Sequence, residues 1–162
     1  MAALAAAVLA VSATASAQSL PAGVHLGMTP DELRAAVPEA QRVARPSRFA
    51  GGSTGSWGGA STTFAGLDFS PAFFFAGRRL QRVEWTSDVG DVPERAAAAF
   101  AELLTWGRAQ FGAEIASHDP GSVSASWSTA DTDIYLQHVD RTGHAAVRLV
   151  YKIRRLKDAS TL

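Results

Sequence analysis

Three histidines, His118, His138 and His144, stand in the last third of the chain with Asp119, Asp131, Asp133 and Asp140 close by in sequence. Imidazole nitrogens and carboxylate oxygens are the donors that zinc and related metals take. His138 and Asp140 bracket an expected hairpin end, and His144 follows Gly143 in the same turn, so two imidazoles and a carboxylate could meet at coordination distance. The same groups would serve a small metal-dependent or His/Asp-based hydrolase. Histidine, aspartate and glycine also punctuate ordinary turns, and that is the expected role here. Asp131-Thr132-Asp133 lacks the further oxygen ligands and the glycine of a calcium loop. Gly51-Gly52-Ser53-Thr54-Gly55 fits the G-x-S-x-G pattern, but a nucleophile elbow needs a buried strand before it and a helix after it, and neither flank is present. There is no phosphate loop, dinucleotide fingerprint or HExxH. No catalytic residue and no cofactor are therefore expected.

A second set of residues suits binding. Residues 39–59 carry Arg42, Arg45 and Arg48, then Phe49 and Trp57 spaced by glycine and serine, a composition that reads as a long loop. In a binding loop, Phe49 and Trp57 could act as apolar anchors among the basic side chains of Arg45 and Arg48. Phe73, Phe74 and Phe75 cannot all point one way in a strand, so either both its faces are covered or one ring is exposed. An exposed Phe74 beside Trp85 would make a contact patch.

The 162 residues allow one domain with a proper core. Fifteen basic and fifteen acidic side chains give zero formal charge, so no strong field draws the chain to nucleic acid or to a membrane. Arg148, Lys152 and Arg154 could line one strand face, but nucleic-acid binding is not expected. Residues 1–17 hold no charged side chain, run apolar from 2 to 11 and end Ala15-Ser16-Ala17, the small-x-small pattern of a cleaved export signal. A basic residue ahead of the apolar run, usual in such signals, is missing. The reading is a signal peptide at 1–17 and a single domain over 18–158, periplasmic or secreted, with no membrane-spanning segment in the mature chain. With no cysteine, the domain has no disulfides and must stand on its core. Thirteen Arg against two Lys and no Asn suggest a GC-rich bacterial genome.

These residues need elements to hold them. Thr29 can cap a helix that Pro30 opens, with Glu32 placed to bond back to the Thr29 amide and Met28 and Leu33 at the staple positions. This helix is expected over 30–37. Asp91 with Glu94 repeats that logic and opens a longer helix to Phe111, whose stripe is Phe100, Leu103, Leu104, Gly107 and Phe111, closed by Gly112. Strand patterns fall at 62–69, 72–75, 80–86, 123–128, 133–138 and 145–153. The expected fold is α+β, an antiparallel sheet of five to seven strands packed against two helices. The two cap positions are 62 residues apart, which suggests halves at 26–88 and 91–156 and an α-βββ tandem repeat.

The stretch Leu26-Gly27-Met28-Thr29-Pro30-Asp31-Glu32-Leu33 resembles the helix start of small bacterial exported proteins, among them beta-lactamase inhibitor protein-like domains and outer-membrane assembly lipoproteins of the SmpA/OmlA type. The resemblance implies a short helix before an antiparallel sheet, used twice in tandem in the inhibitor proteins. It covers some ten residues. The lipoprotein cysteine and the inhibitors' disulfides are missing here, and the second half has no Gly-Met-Thr. The function expected is a binding module for a protein, peptide or envelope component, acting through an exposed sheet face or the Arg45 to Trp57 loop. A small hydrolase using His118, His138 or His144, and a structural envelope protein, are the alternatives.

Overall fold

A computed structural model describes residues 20–49, 52–141 and 143–154. The expected signal at 1–17, and both ends of the expected domain, at 18–19 and 155–158, lie outside these. Helix α1 (Pro30–Ala36) begins as its residues dictate. Thr29 Oγ1 accepts from the Glu32 amide at 3.3 Å, and Glu32 Oε2 accepts from the Thr29 amide at 2.6 Å, satisfying two donors that helix geometry orphans. Seven residues are too few to persist alone, and the buried Leu33 ties the helix to the core.

Strands β1 (Gln41–Arg48), β2 (Thr54–Gly58), β3 (Thr62–Phe64), β4 (Leu67–Ala76) and β5 (Arg79–Gly90) follow. Helix α2 (Pro93–Phe111) then leads to β6 (Ile115–Asp119), β7 (Ser122–Ser128), β8 (Thr132–Arg141) and β9 (His144–Ile153). Every pairing is antiparallel, in the order β1-β2-β4-β5-β9-β8-β7-β6, with β3 beside β4. Each helix is thus followed by a meander, and the two meanders meet at their last strands, β5 and β9.

Among the described residues nine strands stand where five to seven were expected. The expected loop over 39–59 is mostly β1 and β2, and β6 was missed altogether. Both β1 and β6 are edge strands exposed along their whole length, so burial imposes no period-two pattern on them. Pro46 and an irregular register between Arg42 and Ser47 protect the β1 edge from further pairing. In β2, glycine hides the strand for a packing reason: a Cβ at Gly55 would stand 2.4 Å from the Phe74 ring.

The start of α2 also differs from expectation. Its N-cap is Val92, with no side-chain bond, because Pro93 takes the first helical position and leaves Asp91 one residue too early. The α2 residues Ala96, Ala99, Phe100, Leu103 and Gly107 are buried, while Leu104 and Phe111 pack at the margin. The six-membered ring of Trp127 on β7 packs closely against Gly107, its indole N–H donating to the Gly112 carbonyl at 3.0 Å. Core residues of both helices join Phe73, Val83, Trp85, Leu136, Val147 and Leu149 in one cluster. Alternate strand residues face opposite ways, and the helices cover one face of the sheet; among the described residues no helix packs on the other, uncovered face.

Candidate functional site

The uncovered face has its centre where β5 meets β9. Arg82 pairs with Lys152, Glu84 with Val150 and Thr86 with Arg148; on the next strand Lys152 pairs with Asp133, Val150 with Tyr135 and Arg148 with Gln137. Directly paired residues point to the same side, so these side chains form a grid on one surface. It holds a cleft of about 340 Å³ lined by Arg82, Ser124, Tyr135, Gln137, Arg148, Val150 and Lys152.

Glu84 lies under this cleft, only 7% exposed. A carboxylate is seldom buried so far unless it is paired, and this one is paired twice. Its Oε2 accepts from Arg82 Nε at 3.1 Å and Nη2 at 2.7 Å. Its Oε1 stands 2.7 Å from Arg148 Nε. That N–H is turned off the line to the oxygen, so the contact is an ion pair without an aligned hydrogen bond. Lys152 Nζ sits 4.7 Å above the Tyr135 ring and 3.8 Å from Asp133 Oδ2. The Gln137 amide donates to Ser122 Oγ at 3.1 Å.

An aromatic step adjoins the cleft. Arg82 lies over the Phe49 ring at 4.5 Å, and Phe49 tilts onto Phe74 with centroids 5.0 Å apart. Phe74 faces the uncovered side, whereas Phe73 and Phe75 point into the core. The arginine, Phe49 and the bare backbone of Gly55 leave Phe74 only 4% exposed. The expected patch of Phe74 beside Trp85 therefore does not form. Trp85 is buried on the opposite face, edge-on to Phe64 at 5.8 Å. Trp57 is likewise a core residue at 7% exposure, covered by Arg42 at 5.3 Å. Arg45 and Arg48 are exposed on β1, and Phe49 is the one apolar anchor of that set still open, at 41%.

The histidines do not converge. His138 pairs with Val147 and Asp140 with Ala145, so both share the helix-covered side, while His144 pairs with Arg141 on the other. His138 packs 6.0 Å from Phe100, and His144 Nδ1 lies 3.3 Å from Asp88 Oδ2 at the surface. His118 is exposed on β6. Among the described residues no group of three or more His, Asp or Glu is placed to hold a metal ion.

Glu84, Arg82, Tyr135 and Gln137 carried no functional signal in the sequence. The alternation Arg82-Val83-Glu84-Trp85-Thr86 already set three polar side chains on one face of a strand. What was missing was the pairing of that strand with Arg148 and Lys152, a contact across more than sixty residues. No family model matches the chain, and neither does any curated protein or solved structure.

Proposed function

We propose that the mature chain is an exported, non-catalytic binding module that holds a protein or peptide of the cell envelope on the uncovered face of its sheet. The observation that carries this reading is the one-sided coverage of the sheet, with a basic cleft at the centre of the bare face. Long polar side chains over a rigid ladder give fixed positions for hydrogen bonds with little loss of freedom on docking. Export rests on the signal pattern at 1–17. The use of helix-then-meander twice, joined at β5 and β9, supports a tandem duplication, which the likeness to exported inhibitor-type domains also implies. Among the described residues no helix is long and apolar enough to cross a membrane.

A bait experiment with envelope extract tests the docking face. Ser124→Trp places a bulky ring in the cleft, and Glu102→Trp places one on the exposed side of α2. Wild type and Glu102→Trp are expected to recover the same partner, and Ser124→Trp to lose it. Retention by Ser124→Trp, or loss by Glu102→Trp alone, overturns the assignment. The histidine-based hydrolase has less support, since His138 and His144 occupy opposite faces of the sheet.

A further inference from the structure

The uncovered face carries a charge pattern more specific than a basic surface. Glu84 divides its two oxygens between two guanidinium groups. Arg82 gives Glu84 both Nε and one terminal nitrogen and is stacked on Phe49, which fixes it in place. Arg148 meets Glu84 through Nε at 2.7 Å, and among the described residues neither of its terminal nitrogens makes a hydrogen bond to a side chain. Two terminal N–H groups of one guanidinium present parallel donors, the fork that fits a planar carboxylate. Lys152, on the same face of β9, adds a point charge over Tyr135.

We propose that Arg148 and Lys152, with Arg82 held behind them by Glu84, form a receptor for one carboxylate: the aspartate or glutamate side chain of an extended segment of a partner protein. The proposal rests on the docking face proposed above and names what that face recognises. Charge selects the ligand class. Arg82, Arg148 and Lys152 against Glu84 and Asp133 leave a single surplus positive charge, which one carboxylate neutralises and a dianionic phosphate exceeds. Size agrees, because about 340 Å³ accepts an acidic side chain with its adjoining backbone. Val150 forms an apolar floor at 3% exposure, so the bound pair is partly shielded from water, where a charged hydrogen bond counts for more. Phe49, beside Arg82, offers a ring edge to an apolar residue flanking the acid.

The test is a titration of the ¹⁵N-labelled protein with a capped Gly-Glu-Phe-Gly peptide, its glutamine counterpart and inorganic phosphate, read at the arginine Nε–H and backbone amide signals. The glutamate peptide is expected to shift Arg148, Lys152 and Tyr135 saturably, with a Kd on the order of millimolar for so short a probe. Glutamine in place of glutamate, or Arg148→Gln, should each weaken binding about tenfold. Arg95→Gln, on α2, should leave binding unchanged. Lys152→Gln leaves both Glu84 ion pairs intact, should weaken binding several-fold, and carries the test if Arg148→Gln unfolds. Equal binding of the glutamine peptide, absence of saturable shifts, indifference to Arg148→Gln and Lys152→Gln, or tighter binding of phosphate overturns the proposal. Partner capture blocked by Ser124→Trp but unaffected by Arg148→Gln would sink the carboxylate assignment alone; capture indifferent to both would sink the docking face as well.

Discussion

Glu84 and Arg148 meet diagonally across the seam between the two meanders, with carboxylate oxygen and guanidinium nitrogen 2.7 Å apart. The carboxylate belongs to the last strand of the first half and the arginine to the last strand of the second, so the pair exists only when the halves are joined. Because Glu84 also holds Arg82, neutralising it leaves two like charges close together over a buried amide. Glu84 is buried while Arg82 and Arg148 keep part of their side chains in water, so Glu84→Gln is expected to cost about 1–3 kcal/mol in urea unfolding. A loss under about 0.5 kcal/mol, within the range of ordinary surface substitutions, would show that the carboxylate does not brace the cleft.

Two glycines should resist alanine. At Gly107 helix propensity alone favours alanine by about 1 kcal/mol, but the new Cβ would stand 2.5 Å from the Trp127 ring. Overlap with a buried indole costs about 1–3 kcal/mol, so the net effect is expected to be destabilising. Gly55→Ala should behave alike, since its Cβ would strike Phe74 at 2.4 Å. Thermal melts of the two variants check this, and an unchanged or raised Tm for Gly107→Ala contradicts the packing described.

Acid should loosen the end of α2. Arg108 donates two hydrogen bonds to Glu114 and holds its carboxyl down at about 2, against an ordinary 4.5. A carboxyl whose folded value is depressed contributes stability that is complete above 4.5 and fades as pH falls toward 2. Glu32, lowered by the Thr29 amide, acts in the same sense at α1. Glu32 and Arg108 are exposed and Glu114 is half-buried against its partner, so the effect is modest and salt-sensitive. Glu114→Gln should flatten the acid limb of a stability-against-pH curve relative to wild type; an identical limb would contradict the bridge.

His138 presents a buried Nε2 with no hydrogen-bond partner beside Phe100. An unsatisfied buried nitrogen costs about 1–3 kcal/mol, and replacing it by an apolar group of similar size removes that cost. His138→Leu is therefore expected to keep or raise the urea midpoint and to leave partner capture intact. A large loss of capture would restore the histidine as a functional group.

Legibility followed burial. The capping box of α1, the stripe of α2 and the long strand β9 were readable because local chemistry or one-sided burial imposed a pattern. Thr29 works as a cap because it directly precedes Pro30, and the same rule applied to Pro93 would have rejected Asp91 in favour of Val92. Strands β1 and β6 left no mark because no face of either is buried, and β2 was masked by a glycine that exists to admit Phe74. Trp57, Phe74 and Trp85 looked like anchors because aromatic residues suit interfaces, yet each is enclosed. The cleft was illegible because it depends on the register of β5 against β9, which no local spacing encodes.

The docking face is most directly tested by site-specific photocrosslinking in intact cells, with a benzophenone side chain at Gln137 in the cleft or at Ala98 on the exposed side of α2. An adduct of defined mass from Gln137, and none from Ala98, is the expected result. Adducts from Ala98 with none from Gln137 would mean that the partner docks on the helices and that the bare sheet face is not the binding surface.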